Sequence, residues 1–199
     1  MGLPFVLAVA VGILLQSDPA GAAGHTSTYT DFDSKTCREL PQSKGAGDEG
    51  SWICRGHGRT KVRLDVADQR MAVSFVGGDK GEGARFETFP AFNDVYSGRI
   101  EWRLKGGTAF ATILRWNVMT AKDIEEATGP TKPSGRVLVV TRLGPGGSCH
   151  VGYVDALANP DANEFARQLA DEKAQGFECG VDRPEVRGRR TPGLAFPGG

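Results

Sequence analysis

The feature that most constrains this chain is the segment from Cys149 to Cys179. Val151 and Tyr153 alternate with His150 and Gly152, which predicts a strand over 149–154. Asn159 is placed to cap a helix, because its side-chain oxygen can accept a free first-turn N–H, and Pro160 at the first helical position loses only an N–H that has no partner there. Asp161 and Glu164 fall near the positive end of the helix dipole. Ala162, Phe165, Ala166 and Leu169 recur at i, i+3, i+4 and i+7, an apolar stripe, and Gly176 is expected to end the helix. An extended run from Cys149 to Ala156 covers about 23 Å, and a helix from Pro160 to Ala174 returns about 21 Å. Cys179 therefore arrives beside Cys149. A disulfide there closes a loop of about 30 residues and stabilises the fold by roughly 3–4 kcal/mol.

Such a bond needs an oxidising compartment. Leu3 to Leu15 is an apolar run followed by Gln-Ser-Asp-Pro and the small-residue site Ala20-Gly21-Ala22, the layout of a secretory signal peptide over residues 1–22, although no Lys or Arg precedes the run. The run is too short to span a bilayer, and no second one follows, so a periplasmic or secreted chain without a transmembrane segment is expected. The chain has 4 cysteines, which allow three pairings. The local pairing, Cys37–Cys54 with Cys149–Cys179, is the one expected, with the polar, turn-rich residues 41–50 looped between the first two.

The 199 residues carry 24 Lys plus Arg and 24 Asp plus Glu. Removing residues 1–22 takes Asp18 and no base, so the mature chain is nearly neutral and has no electrostatic case for nucleic acid. Residues 23–180 suit one domain with its own core. Residues 181–199 have no apolar period and are expected to be a disordered tail.

Within the domain, Val62, Leu64 and Val66 alternate with polar residues, and Met71, Val73 and Phe75 do the same, which predicts a hairpin. Residues 99–105 and 108–116 flank Gly106-Gly107, whose tolerance of positive φ suits a two-residue turn. That turn sets Trp102 opposite Ala111 and Leu104 opposite Ala109, with Arg99, Glu101 and Arg103 against Leu114, Thr112 and Phe110 on the other face. Strands 108–116 and 136–143 are apolar enough to be central. Residues 120–135 are expected to be a loop with one helical turn.

Candidate chemistry is sparse. Cys149 and His150 point to opposite faces of a strand, so they do not form a dyad, and no Gly-x-Ser-x-Gly elbow is present. His57 sits in a glycine-flanked turn and could serve as a base beside a carboxylate, but a surface turn is the favoured reading. Gly77 to Gly83 is glycine-rich without the ending of a phosphate-binding loop. Asp31 with Asp33, and Glu125 with Glu126, read as exposed charge. Cleavage after Ala22 would leave Ala23-Gly24-His25, a four-nitrogen site suited to Cu(II) or Ni(II), against which stands a plain terminal His25. No cofactor is expected. The aromatic residues Phe86, Phe89, Phe92 and Tyr96, with Trp116, are the candidate binding surface.

Asp31-Phe-Asp-x3-Cys37, Glu101 to Leu104, Ala111 to Trp116, Leu138 to Gly144 and above all Cys149 to Ala162 resemble a family of small exported bacterial proteins, mainly alphaproteobacterial. The resemblance spans residues 28–182 and implies export but no mechanism. Trp52-Ile-Cys54 followed by two short alternating strands is similar to the periplasmic inhibitors of c-type lysozyme, whose Ser-Gly-x-x-Tyr loop has no counterpart where Ser97-Gly98 leads into Arg99-Ile100-Glu101.

The fold class expected is α+β: a mainly antiparallel sheet of six to eight strands, one C-terminal helix packed on a face, and two disulfides. The function expected is an exported, non-catalytic envelope module that binds another envelope protein or a cell-wall component. The alternatives are an inhibitor of a cell-wall hydrolase and a hydrolase using His57.

Overall fold

The alternating runs build two mainly antiparallel sheets rather than one. The computed structural model describes residues 24–41, 49–77, 87–95, 97–129, 132–145 and 147–197. The smaller sheet is a meander of β2 (Arg38–Glu39), β3 (Gly50–Arg55), β4 (Thr60–Ala67) and β5 (Arg70–Gly77). The larger sheet has the order β1 (Thr26–Asp33), β7 (Ser97–Lys105), β8 (Thr108–Val118), β9 (Gly135–Arg142), β10 (Cys149–Asp155), β11 (Glu185–Arg187), with β6 (Asn93–Asp94) also paired to β8. Short helices α1 (Ala121–Glu125) and α2 (Ala162–Lys173) complete it.

The sheets face each other over one core. Val62, Leu64, Met71, Val73 and Phe75 from β4 and β5 meet Ile100, Trp102, Leu114, Trp116 and Val139 from the larger sheet. Each such side chain taken out of water contributes roughly 1.5–3 kcal/mol. The outer face of the larger sheet carries α2, whose Ala162, Ala166, Leu169 and Ala170 are buried against Ala111, Ile113, Leu138 and Val140. The layers are therefore sheet, sheet, helix. Strands β8 and β9 are central, as their two-sided apolar character requires.

Both disulfides form as expected, Cys37–Cys54 and Cys149–Cys179, with Cα separations of 4.4 and 5.8 Å. The second joins the start of β10 to the chain just beyond α2. Gly106 and Gly107 have φ of 55° and 80°, the two left-handed residues that a tight hairpin turn demands. The β4–β5 turn uses the same conformation at Asp68 and Gln69.

Two β-bulges revise the expected registers. Leu104 does face Ala109, but Arg103 pairs with Ala111 and Trp102 with Thr112, because Phe110 is an extra residue in β8. Phe110 and Ala111 consequently both join the cluster under α2, and Arg103 and Glu101 lie on the helix side opposite Ala111 and Ile113. In β10 the pairing slips between His150 and Gly152. Val151 turns toward α2 and Tyr153 toward the core between the sheets, so the expected sharing of one face by these two does not hold.

The helix boundary also moves. Helix α2 begins at Ala162 with Asp161 in the capping position and no side-chain cap, and it ends at Lys173 before Gly176. Beyond the helix it is Gly180, beside Cys179, and not Gly176 that takes a positive φ, at 84°. Asn159 does not cap the helix: it is buried and holds the C-terminal segment.

That segment is the largest departure from expectation. Rather than a disordered tail, residues 181–197 run along the larger sheet, where β11 pairs in parallel with β10 through Gly152 and Glu185. A Cβ on residue 152 would lie 2.3 Å from the Glu185 carbonyl oxygen, so only glycine permits this approach. Leu194 and Phe196 then enter the core, the latter 5.9 Å from Tyr153. Val186, Leu194 and Phe196 are apolar residues in a polar stretch and show no periodicity, yet all three pack on the core.

Candidate functional site

The aromatic residues expected to form one surface are divided by the fold. Phe89 and Trp116 are buried, with ring centroids 5.4 Å apart, because Trp116 lies on the inward face of a central strand. They are core residues and not a binding surface. Phe92 is 40% exposed. Phe86 and Tyr96 lie outside the described residues.

His57 is half-buried in the β3–β4 turn with its ring 5.7 Å from that of Trp102. His25 packs on Phe110 at 5.0 Å, with Nδ1 3.4 Å from Asp171. Among the described residues no group of three or more His, Cys, Asp and Glu is placed to share a metal ion.

Phe92 belongs to a cleft at one end of the sandwich, of about 400 Å³, between the β4–β5 turn and α1. Val66, Met71, Met119 and Ile124 give it apolar walls. Ile124 stands 56% exposed at the rim. Hydrogen bonds fix both walls. On one side Asn93, buried, accepts from the Met71 N–H at 3.0 Å and donates to the Ala91 carbonyl at 3.1 Å. The Phe92 carbonyl accepts from the Met119 N–H at 2.9 Å.

On the other side Thr120 and Asp123 form a reciprocal capping box at the start of α1. Asp123 Oδ2 also accepts from the Ser134 N–H at 3.0 Å and the Ser134 hydroxyl at 2.9 Å, which ties the two ends of the 120–134 loop. Desolvation works to raise the Asp123 carboxyl, but the hydrogen bonds from Thr120 and Ser134 prevail and hold it at about 2. The result is a preformed apolar notch with Phe92 and Ile124 presented to solvent. Gln69 and Asp94 add polar groups at its edge.

Two polar clusters elsewhere are structural. Under α2, Arg103 makes a bidentate pair with Asp171 at 2.9 and 2.6 Å, and Arg167 Nε meets Glu101 at 2.7 Å. These pairs clamp the helix to β7. Between the sheets, the β10 bulge brings His150 Nδ1 within 3.0 Å of the Tyr153 hydroxyl and 3.3 Å of a Glu87 oxygen. Burial holds the His150 imidazole neutral, down to about 3, and raises Tyr153, with the Glu87 charge acting in the same sense on the phenol. His150 Nε2 is buried with no hydrogen-bond partner among the described residues. An imidazole sealed in this way has no access to a substrate.

The Phe92 and Ile124 notch was legible only in part, since Phe92 stood out as an aromatic and Ile124 lay in a segment read as loop. The turn chemistry that could have located it is Thr120-x-x-Asp123, a capping box. Among the described residues no helix is long and apolar enough to cross a membrane. Compared with known proteins, the chain matches no family model, no curated protein and no solved structure.

Proposed function

We propose that this chain is an exported, non-catalytic module of the cell envelope, which binds a partner protein by taking one of its apolar side chains into the notch between the β4–β5 turn and α1. The observation that carries this reading is the pairing of a preformed apolar cleft of about 400 Å³ with two large apolar side chains, Phe92 and Ile124, exposed at its rim. Walls already fixed by Asn93 and Asp123 spare a partner the cost of ordering them. A buried aliphatic or aromatic anchor contributes roughly 1.5–3 kcal/mol at such a site. Two disulfides support export, because such bonds persist in oxidising compartments.

The test is site-specific cross-linking in cells. A photoreactive phenylalanine analogue at position 124 is expected to give a discrete adduct that Phe92→Asp abolishes, and the same analogue at exposed Leu157, outside the notch, is expected to give none. Equal adducts from both positions, or an adduct from 124 that persists in the Phe92→Asp chain, would overturn the reading.

A further inference from the structure

A second cleft, sharing no lining residue with the first, lies between β1, β7, β8 and β9 of the larger sheet and Asn163 and Arg167 of α2. It holds about 370 Å³. Its lining includes Arg99, Arg115 and Arg167 with a single carboxylate, Glu101, over the apolar side chains of Ile113 and Leu138. Glu101 is already engaged by Arg167, at 2.7 and 3.3 Å. The remaining cations are poorly compensated.

Arg99 faces Asp31 at 3.6 Å, but both side chains are largely exposed, and such pairs are weak in water. Its guanidinium also lies 5.9 Å over the Tyr29 ring, which sets its position beside the cleft. Arg115 has no carboxylate partner among the described residues; its Nη2 donates to the Asn163 side-chain oxygen at 3.3 Å. Arg136 stands next to it on the same face of β8 and β9, since Arg115 pairs with Leu138 and Asn117 with Arg136. Arg136 directs Nη1 to the carbonyls of Pro133, Ser134 and Gly135 rather than to a carboxylate. Burial, then repulsion from Arg136, lowers the affinity of Arg115 for its own proton. Arg115 and Arg136 have no carboxylate partner among the described residues, and Arg115 shares the cleft with Arg99, whose own pair with Asp31 is solvent-exposed; guanidiniums so placed above an apolar floor are complementary to an anion with an apolar body.

We propose that this cleft binds a small organic oxyanion, a carboxylate or a phosphate ester, with its charge between Arg99 and Arg115 and its apolar body on Ile113 and Leu138. Asn163 and Tyr29 also line the cleft. The site is independent of the partner notch and stands or falls without it.

Titration of the isotope-labelled protein with phenyl phosphate and with phenylacetate, followed by NMR at the arginine Nε–H signals, tests the site. Saturable shifts at Arg99 and Arg115 with either probe are expected. The probe that saturates at lower concentration identifies the headgroup. Arg115→Gln is expected to weaken binding at least ~10-fold while leaving the backbone spectrum of the core in place, and added salt is expected to weaken it further. Benzyl alcohol producing the same shifts would remove the oxyanion from the assignment, and inorganic phosphate binding as well as phenyl phosphate would remove the apolar floor. Unchanged binding by both Arg115→Gln and Arg99→Gln would overturn the site.

Discussion

The side-chain amide of Asn159 pairs with the backbone of Arg189 in both directions. Its oxygen accepts from the Arg189 N–H at 2.9 Å, and its nitrogen donates to the Arg189 carbonyl at 2.8 Å. The amide thus replaces a neighbouring strand for one residue of the C-terminal segment. Two residues on, the Thr191 N–H donates to Asp155 Oδ2 at 2.6 Å, and Leu194 and Phe196 then reach the core.

Asn159→Ala takes the side-chain partner from the N–H and carbonyl of the exposed Arg189 and from the Asp155 carbonyl. A loss of about 1–2 kcal/mol is expected, since a hydrogen bond whose partner water can replace contributes about 0.5–1.5 kcal/mol. The measurement is urea denaturation with limited trypsin digestion, which should cut early at Arg189 and Arg190. A variant with wild-type stability and protease resistance would show that the segment is held by Leu194 and Phe196 alone.

His150 makes the fold acid-sensitive. Its imidazole titrates at about 3 when folded, against 6.5 unfolded, so the unfolded chain binds the extra proton throughout the interval. Stability is therefore intact above pH 6.5 and falls as pH drops from 6.5 toward 3, by up to about 4 kcal/mol. The Glu87 carboxylate beside Nδ1 works against this and reduces the slope. Denaturation midpoints across this range should decline in the wild type and flatten in His150→Gln; parallel curves for the two chains would exclude His150 as the cause.

Removing the Cys149–Cys179 bond, by Cys149→Ser with Cys179→Ser, is expected to cost roughly 3–4 kcal/mol, as closing a loop of 30 residues predicts. The loss should be seen as a lower Tm that a reducing agent no longer affects beyond its action on Cys37–Cys54. Helix α2 also rests on the Arg103–Asp171 pair and its alanine face, so it should remain folded by circular dichroism. A collapse of helical signal would place all of its anchoring in the disulfide.

Asp123→Asn tests the wall of the apolar notch. The carboxylate that accepts from Thr120 and Ser134 loses its charge, for a cost of about 1 kcal/mol. Faster hydrogen exchange at the Thr120 and Ser134 amides is expected, together with a weaker cross-link from position 124. Unchanged exchange at both amides would mean that the loop is held by other contacts.

Much of the architecture was legible because it depends on short-range regularities. The 62–66 and 71–75 hairpin, the Gly106-Gly107 turn, the central strands expected at 108–116 and 136–143 and both cysteine pairs follow from periods of two, from turn residues and from chain length. The site was far less legible. Trp116 and Phe92 look alike as aromatics near turns, and only the sheet order makes one core and the other rim.

What the residues alone determined is the local vocabulary: where strands alternate, where the backbone must turn left-handed, and which cysteines lie within reach after a strand and a helix. What only the tertiary structure decided is every feature set by contacts between distant segments. Bulges at Phe110 and Val151 reassign faces, Asn159 holds a strand-like tail instead of a helix start, and Arg99 is brought to the same cleft as Arg115 and Arg167. A bulge changes the side-chain period by one residue at little local cost, and a tail is ordered by a few distant apolar contacts. Neither leaves a periodic trace in its own segment, because the energy that selects it belongs to the partner.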